Sequence, residues 1–516
     1  MVMSSIILIA VVLTILLRPW KINESIPAIV GALLVLALGI VNLSDLKVVS
    51  NAVSGAAITI ISTIIMSSVL DKAGFFRWAA IQVARKAGGN GRKLFILTLL
   101  LSFLMTMFFN NDGSILITTP IILQIMSRLQ FNKKEAFPYL IGGALIASAS
   151  SAPIGVSNLA NLIALRIVGL NLNTYAALMF VPSIIGIIVC GDLLFLLFRK
   201  VIPEHYDIKL LNQTSSEKFY IEGSLRGPFE VPRPEPLGKP KLVPHEGPKH
   251  VLHEGPKPGP PRGLKPGPLG GPKPVPHEAL KPCPPPPLPK KTLDKEQTAT
   301  QEESKIDRPL FIFGISVVVI VRIGFFIGAY FGIPVEFIAI TGALCLLLFY
   351  GIRQPTGVVS IIRQAPWYIV VFAFGMYAVV YGFHMSGGTE LFKDIVQFGA
   401  SHGLLASLLV TGILLTVMSC LMNNLPSVMI GTIVLTGVNL SPHVLQLSYL
   451  ANVLGSDIGS LLLPIGTLAS LLWFHIVRQQ MSFTWLDYMK VSFVVIPPSL
   501  LISILALYEW GNLIIK

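Results

Sequence analysis

Two short polar tracts interrupt apolar sequence in the first half of this chain, Asn110-Asn111-Asp112-Gly113 and Pro153-Ile154-Gly155-Val156-Ser157-Asn158. Two more do so in the second, Asn423-Asn424-Leu425-Pro426 and Pro464-Ile465-Gly466-Thr467. Their side chains suit reversible hydrogen bonding rather than covalent chemistry. Asn110, Asn111, Asn158, Asn423 and Asn424 carry amide donors and acceptors, and the hydroxyls of Ser114, Ser157, Ser427 and Thr467 act as either. Gly113, Gly155 and Gly466 allow close backbone approach, while Pro153, Pro426 and Pro464 fix the breaks. A helix restarting after such a break presents a positive dipole end. These asparagines and hydroxyls, with Gly466, are the candidate ligand contacts, and a polyhydroxylated neutral molecule, an anion or a cation are all compatible with them. Asp112 and Asp457 place carboxylates in apolar surroundings, where an ionisable group is costly and functional by default, so both are read as proton- or ion-coupling residues. The chain has no nucleophile paired with a base and no metal-ligand spacing, so catalysis, a resident metal and a cofactor are not expected.

Asn and Ser in a membrane helix often do no more than bridge helices. Recurrence argues for more here. Aligning Asn110 with Asn423 also aligns Ser114 with Ser427 and Gly74 with Gly387, since each glycine lies 36 residues before its asparagine. The symmetry mate of Asp112 is Leu425, so any charge role belongs to one half. Two related halves with interrupted apolar segments at matching places point to a secondary transporter with a site near the bilayer midplane.

The elements that must position these tracts are membrane helices. With 53% hydrophobic and only 13% charged residues, the chain is too apolar for a soluble globular protein. The runs Met3 to Leu17, Ala28 to Val41, Ile58 to Leu70, Tyr175 to Phe198, Leu310 to Phe331 and Val491 to Leu507 are of the length that crosses a hydrocarbon core of about 30 Å. A net charge of +13 would suggest nucleic acid in a soluble protein. Here its distribution orients the chain instead, and no nucleic-acid partner is expected. Placing the basic segments in the cytoplasm gives five crossings per half and one hairpin per half that enters and leaves on the same side, about 94–128 and about 404–438. The predicted fold is an all-α polytopic inverted repeat of about ten crossings and two re-entrant hairpins, in the plasma membrane with both termini external. Arg322 and Asp192, both in apolar segments, are expected to pair structurally with another helix, and Asp71 and His384 to lie at helix ends.

The halves, 1–200 and 309–516, are separated by 201–308, read as a cytoplasmic linker. From Gly227 to Leu288 it is built mainly of Pro, Gly, Lys and His, a composition that cannot bury a core and predicts a disordered or polyproline tether. Cys190, Cys283, Cys345 and Cys420 show no paired spacing, so neither a disulfide framework nor a zinc site is implied.

At these tracts the chain resembles the ArsB-type arsenite efflux permeases of the ion transporter superfamily. The resemblance rests on Asn111-Asp112-Gly113 with Thr119-Pro120-Ile121, Val156-Ser157-Asn158-Leu159, Met422-Asn423-Asn424-Leu425-Pro426 and Pro464-Ile465-Gly466, and runs through nearly the whole apolar portion. It implies export of arsenite or antimonite as small hydroxylated species, driven by the proton gradient or the membrane potential. In some members it also implies a cytoplasmic ATPase partner. It further implies two hairpin tips and two broken helices meeting at the substrate. The wider superfamily includes Na+- or H+-coupled carboxylate and cation carriers, and a membrane dock for a soluble ATPase is a reading from another class. The chain departs from the family at two positions, with Ser148 where an aspartate is common and Leu461 where a lysine is common. A facing pair of opposite charges is lost together far more cheaply than singly.

Overall fold

The computed structural model describes residues 1–17, 22–211 and 307–515, and all regular structure among them is helical. The tether predicted at 227–288 lies outside the described residues.

Among the described residues, nine helices form the first half: α1 (Val2–Leu17), α2 (Ser25–Ala37), α3 (Asp45–Lys72), α4 (Phe75–Lys86), α5 (Gly91–Phe108), α6 (Asn111–Arg128), α7 (Lys133–Ala149), α8 (Leu159–Val168) and α9 (Leu172–Phe198). The second half opens with α10 (Arg308–Tyr330), α11 (Val335–Arg353) and α12 (Pro355–Gln364). It continues with α13 (Tyr368–Met385), α14 (Glu390–Ser401), α15 (Leu404–Met422), α16 (Asn424–Thr436), α17 (Pro442–Asp457), α18 (Leu468–Arg478) and α19 (Trp485–Ile514). Many starts are written locally. Asn90, Asn132, Asn171, Ser441 and Thr484 accept backbone N–H groups as N-caps, and Asn132 with Glu135 closes a capping box.

The element sequence from α3 to α9 recurs from α13 to α19. Gly74 and Gly387 both adopt the left-handed conformation, with φ of 81° and 76°, where a side chain would be strained. Each is followed by a 12-residue helix, α4 or α14, and then by the pair of helices that meets at an asparagine. Packing follows the same exchange. Helix α2 packs on α13 as α11 packs on α3, α6 packs on α18 as α16 packs on α8, and α9 and α19 pack on each other. In a bilayer such contacts rest on close van der Waals packing and hydrogen bonds rather than on a hydrophobic difference between helix and lipid.

Among the described residues, eight segments are long and apolar enough to cross a membrane: α3, α5, α9, α10, α11, the α12–α13 segment, α15 and α19. This is a polytopic membrane protein. Length alone divides the chain differently from the sequence expectation of about ten crossings and two hairpins. The first arms of the expected hairpins, α5 and α15, have 18 and 19 residues and qualify as spans by themselves. The helices of the pairs α7/α8 and α17/α18 do not qualify, because they have 17, 10, 16 and 11 residues and a break separates the members of each pair. Helix α2 has 13 residues, about 20 Å, and stops at Ala37 rather than running to Val41.

Candidate functional site

Asp457 ends α17 and is almost fully buried. Its Oδ2 accepts hydrogen bonds from Ser151 Oγ at 2.8 Å and Asn161 Nδ2 at 2.7 Å. Its Oδ1 accepts from Asn158 Nδ2 at 3.0 Å and, at 3.4 Å, from Ser456 Oγ. Three of the four donors come from the broken segment of the first half, so one carboxylate fastens the two interruptions together. The donors are all neutral, and the carboxylate's lone pairs are satisfied without a cation. Around this junction the freed backbone carbonyls also find partners, as a membrane interior demands. Tyr175 on α9 donates to the Ala152 carbonyl at 2.6 Å, and Ser492 on α19 donates to the Leu462 carbonyl at 2.7 Å.

The first hairpin turn lies between α5 and α6. Asn110 is fully extended, with φ −159°, and makes no side-chain cap. Its Oδ1 sits where a Cβ on Gly113 would come within 2.5 Å, so Gly113 leaves room for this position of the amide. Asn110 Oδ1, Asn111 Oδ1 and Ser114 Oγ are buried without a hydrogen-bond partner. Asp112, on the first turn of α6, is half-buried, and its carboxylate makes no hydrogen bond or salt bridge among the described residues. The carbonyls closing α5 are held by Arg322 of α10, whose Nε donates to the Phe108 oxygen at 2.7 Å and whose Nη2 donates to the Phe109 oxygen. Arg322 thus pairs with another helix as expected, through backbone carbonyls at the end of α5.

The second turn lies between α15 and α16 and is built differently. Asn423 has φ 74° and ψ 158°, a region nearly reserved for glycine. Its Oδ1 accepts from the Leu425 N–H at 3.5 Å, and its own carbonyl accepts from Ser427 Oγ at 2.8 Å. Only its Nδ2 is left buried and unpartnered. Asn424 is buried beside it.

The sequence-predicted residues therefore separate into two groups. Asn110, Asn111, Ser114, Ser157 and Asn423 keep a buried polar atom without a protein partner, which in a folded structure calls for a ligand or a water. Asn158, Ser427 and Thr467 are engaged internally: Asn158 caps α8 through the Ala160 N–H while binding Asp457, and Thr467 caps α18 through the Ser470 N–H. A Cβ on Gly466 would lie 1.9 Å from the Ser460 carbonyl oxygen, so the turn itself requires this glycine. Ser148 and Leu461 are both buried, and α7 packs against the 459–462 turn that carries Leu461. Sequence reasoning left Ser151, Asn161 and Tyr175 out of the site. The spacing of Asn158 and Asn161, three apart on the first turn of a helix and hence on one face, was the available signal. A cavity of about 270 Å³ opens elsewhere, at the far end of α8, lined by Arg166, Asn171, Val335 and Glu336 among others.

Buried hydrogen-bonding atoms at two helix interruptions, in a polytopic helical chain whose halves share one element order, define a membrane transport protein. Residues 8–455 match the CitMHS family profile, described as citrate transporter, and the chain belongs to that family. It is 38% identical to a Bacillus subtilis (strain 168) protein named "Putative arsenical pump membrane protein", over 96% of each chain. It is 30% identical to an Escherichia coli "Arsenical pump membrane protein" over 98% of each. Among solved structures it is similar to the Alcanivorax borkumensis YdaH transporter, with TM-score 0.48 and 11% identity over 92% of this chain and 90% of that one.

Proposed function

We propose that this chain exports arsenite, antimonite or a similar small metalloid hydroxide across the plasma membrane by secondary transport, driven by the proton gradient or the membrane potential. The observation that carries the reading is the set of unpartnered buried atoms at the first turn, Asn110 Oδ1, Asn111 Oδ1 and Ser114 Oγ. A neutral polyhydroxylated solute satisfies such atoms through its own O–H groups without bringing a charge into hydrocarbon. Near full-length similarity to proteins named arsenical pump membrane proteins supports the same substrate class.

Asn424, Asn423 and Ser157 complete the proposed contacts, and Asp112 is the coupling residue that remains open to a proton. Asp457 shares the coupling role only if its four donors let go, because a protonated carboxyl can no longer accept from all of them. The two halves are inverted relative to each other, with segment 201–308 cytoplasmic and both termini external. A cytoplasmic ATPase is an optional partner that would dock from that side. The family description favours a second substrate class, citrate. The charges at the breaks oppose it: Asp112 and Asp457 are carboxylates, and the one guanidinium described there is engaged by backbone carbonyls. A polyanion would meet repulsion.

Uptake into everted vesicles separates the readings. Arsenite accumulation that collapses with the proton gradient or the potential is expected; citrate or Na+ flux without arsenite flux would overturn the assignment.

A further inference from the structure

Arg322 is the least expected charge in the fold. It lies in the middle of α10, a 23-residue apolar helix of the second half, and only 7% of it is exposed. Burying a guanidinium there is costly, and such groups persist where protein acceptors replace water. Its acceptors are the Phe108 and Phe109 carbonyls, the last of α5, immediately before Asn110. Those oxygens lie at the negative end of the helix dipole and have no intrahelical donor, so a bidentate cation is the strongest available cap. The side chain is fixed from below by Phe325, whose ring centroid lies 5.5 Å from the guanidinium carbon. Phe109 is fixed in turn by edge contact with Phe76, the ring centroids 5.0 Å apart.

Among the described residues the second turn has no such device. Helix α1 touches α15 as α10 touches α5, yet Val2–Leu17 contains no charged residue.

We propose that Arg322 is the positioning residue of the first hairpin turn. It reaches across from the other half, clamps the end of α5, and thereby sets where Asn110, Asn111 and Ser114 present their open atoms to the substrate. Its Nη1 stays buried without a partner, so the grip rests on Nε and Nη2 alone. Lysine keeps the charge but cannot span both carbonyls, and methionine fills the volume with no donor.

The inference rests on the proposed export of arsenite, and the test has an arm that does not. In everted vesicles Arg322→Met is expected to raise the KM for arsenite by roughly tenfold with a smaller change in maximal rate, and Arg322→Lys to fall between it and the unsubstituted protein. The second arm uses Met107→Cys in a chain whose native cysteines are replaced. Labelling by a small membrane-permeant maleimide is expected to be faster when Arg322→Met or Arg322→Lys is added, because the last turn of α5 is no longer held. Unchanged KM and unchanged labelling in a normally accumulating variant would overturn the proposal. If Arg322→Met does not accumulate, Arg322→Lys decides by the same two readings. If the unsubstituted protein moves no arsenite, the transport reading fails while the labelling arm still decides the role of Arg322.

Discussion

The two turns occupy the same place in the shared element order and solve the same problem, a buried helix end, by opposite means. At Asn110 the backbone is relaxed and extended, the carbonyls are capped from the other half by Arg322, and the side-chain atoms around the turn stay open. At Asn423 the turn satisfies itself from within except at the Asn423 Nδ2. Its Oδ1 takes the Leu425 N–H, its carbonyl takes Ser427, and φ is 74°. Satisfying a break from outside leaves its side chains free for a ligand, whereas satisfying it from within uses them. Repetition of a layout is therefore not repetition of a chemistry, and Asp112 facing Leu425 in the alignment is the same asymmetry in charge.

The largest effect is expected where the halves meet. While Ser151 keeps the Ser148 carbonyl, Asp457→Ala leaves the amides of Asn158 and Asn161 without their acceptor, at about 1–3 kcal/mol for a buried group left unpaired. Its melting temperature in detergent should fall far below that of Asp112→Ala, whose carboxylate has no hydrogen-bond partner among the described residues. Equal melting of the two variants would mean that the junction contributes nothing.

A smaller effect sharpens the contrast between the turns. Asn111→Ala should reduce arsenite export about tenfold or more at normal membrane levels, because it removes an open atom. Ser427→Ala, which removes only an internal bond to the Asn423 carbonyl, should stay within about threefold. Similar losses from both would erase the distinction.

The smallest effect is one of sign. Asn423→Gly relieves a strained backbone and should leave stability unchanged or raise it, while Asn110→Gly adds chain entropy at a relaxed position and should cost about 0.5–1 kcal/mol. Denaturation midpoints that move the same way for both would show that the conformational difference carries no energy.

Much of this was legible in the sequence. Apolar runs, prolines and the paired asparagines located α1, α3, α9, α10, α19 and all four breaks, because helix periodicity and helix interruption are local properties. Which polar atoms are open was not legible. Asn158 and Asn110 have the same side chain, and they differ in that Asn158 takes the Ala160 N–H and the carboxylate brought from position 457. Arg322 was conspicuous but unassignable, since its acceptors are backbone carbonyls and a carbonyl leaves no mark in a sequence.

The Asp457 junction also has a consequence in time. Ser151, Asn158 and Asn161 are separated from their acceptor by 306, 299 and 296 residues. At about 5–20 residues per second, a ribosome takes on the order of 15 to 60 s to make that stretch. Throughout it the amides of Asn158 and Asn161 lack their acceptor. The nascent half must either find temporary partners, in lipid headgroups, water or an insertase, or postpone threading its break into hydrocarbon until the second half arrives. A protein joined in this way is assembled late, and its halves supplied as two separate chains should complete each other by the same bonds.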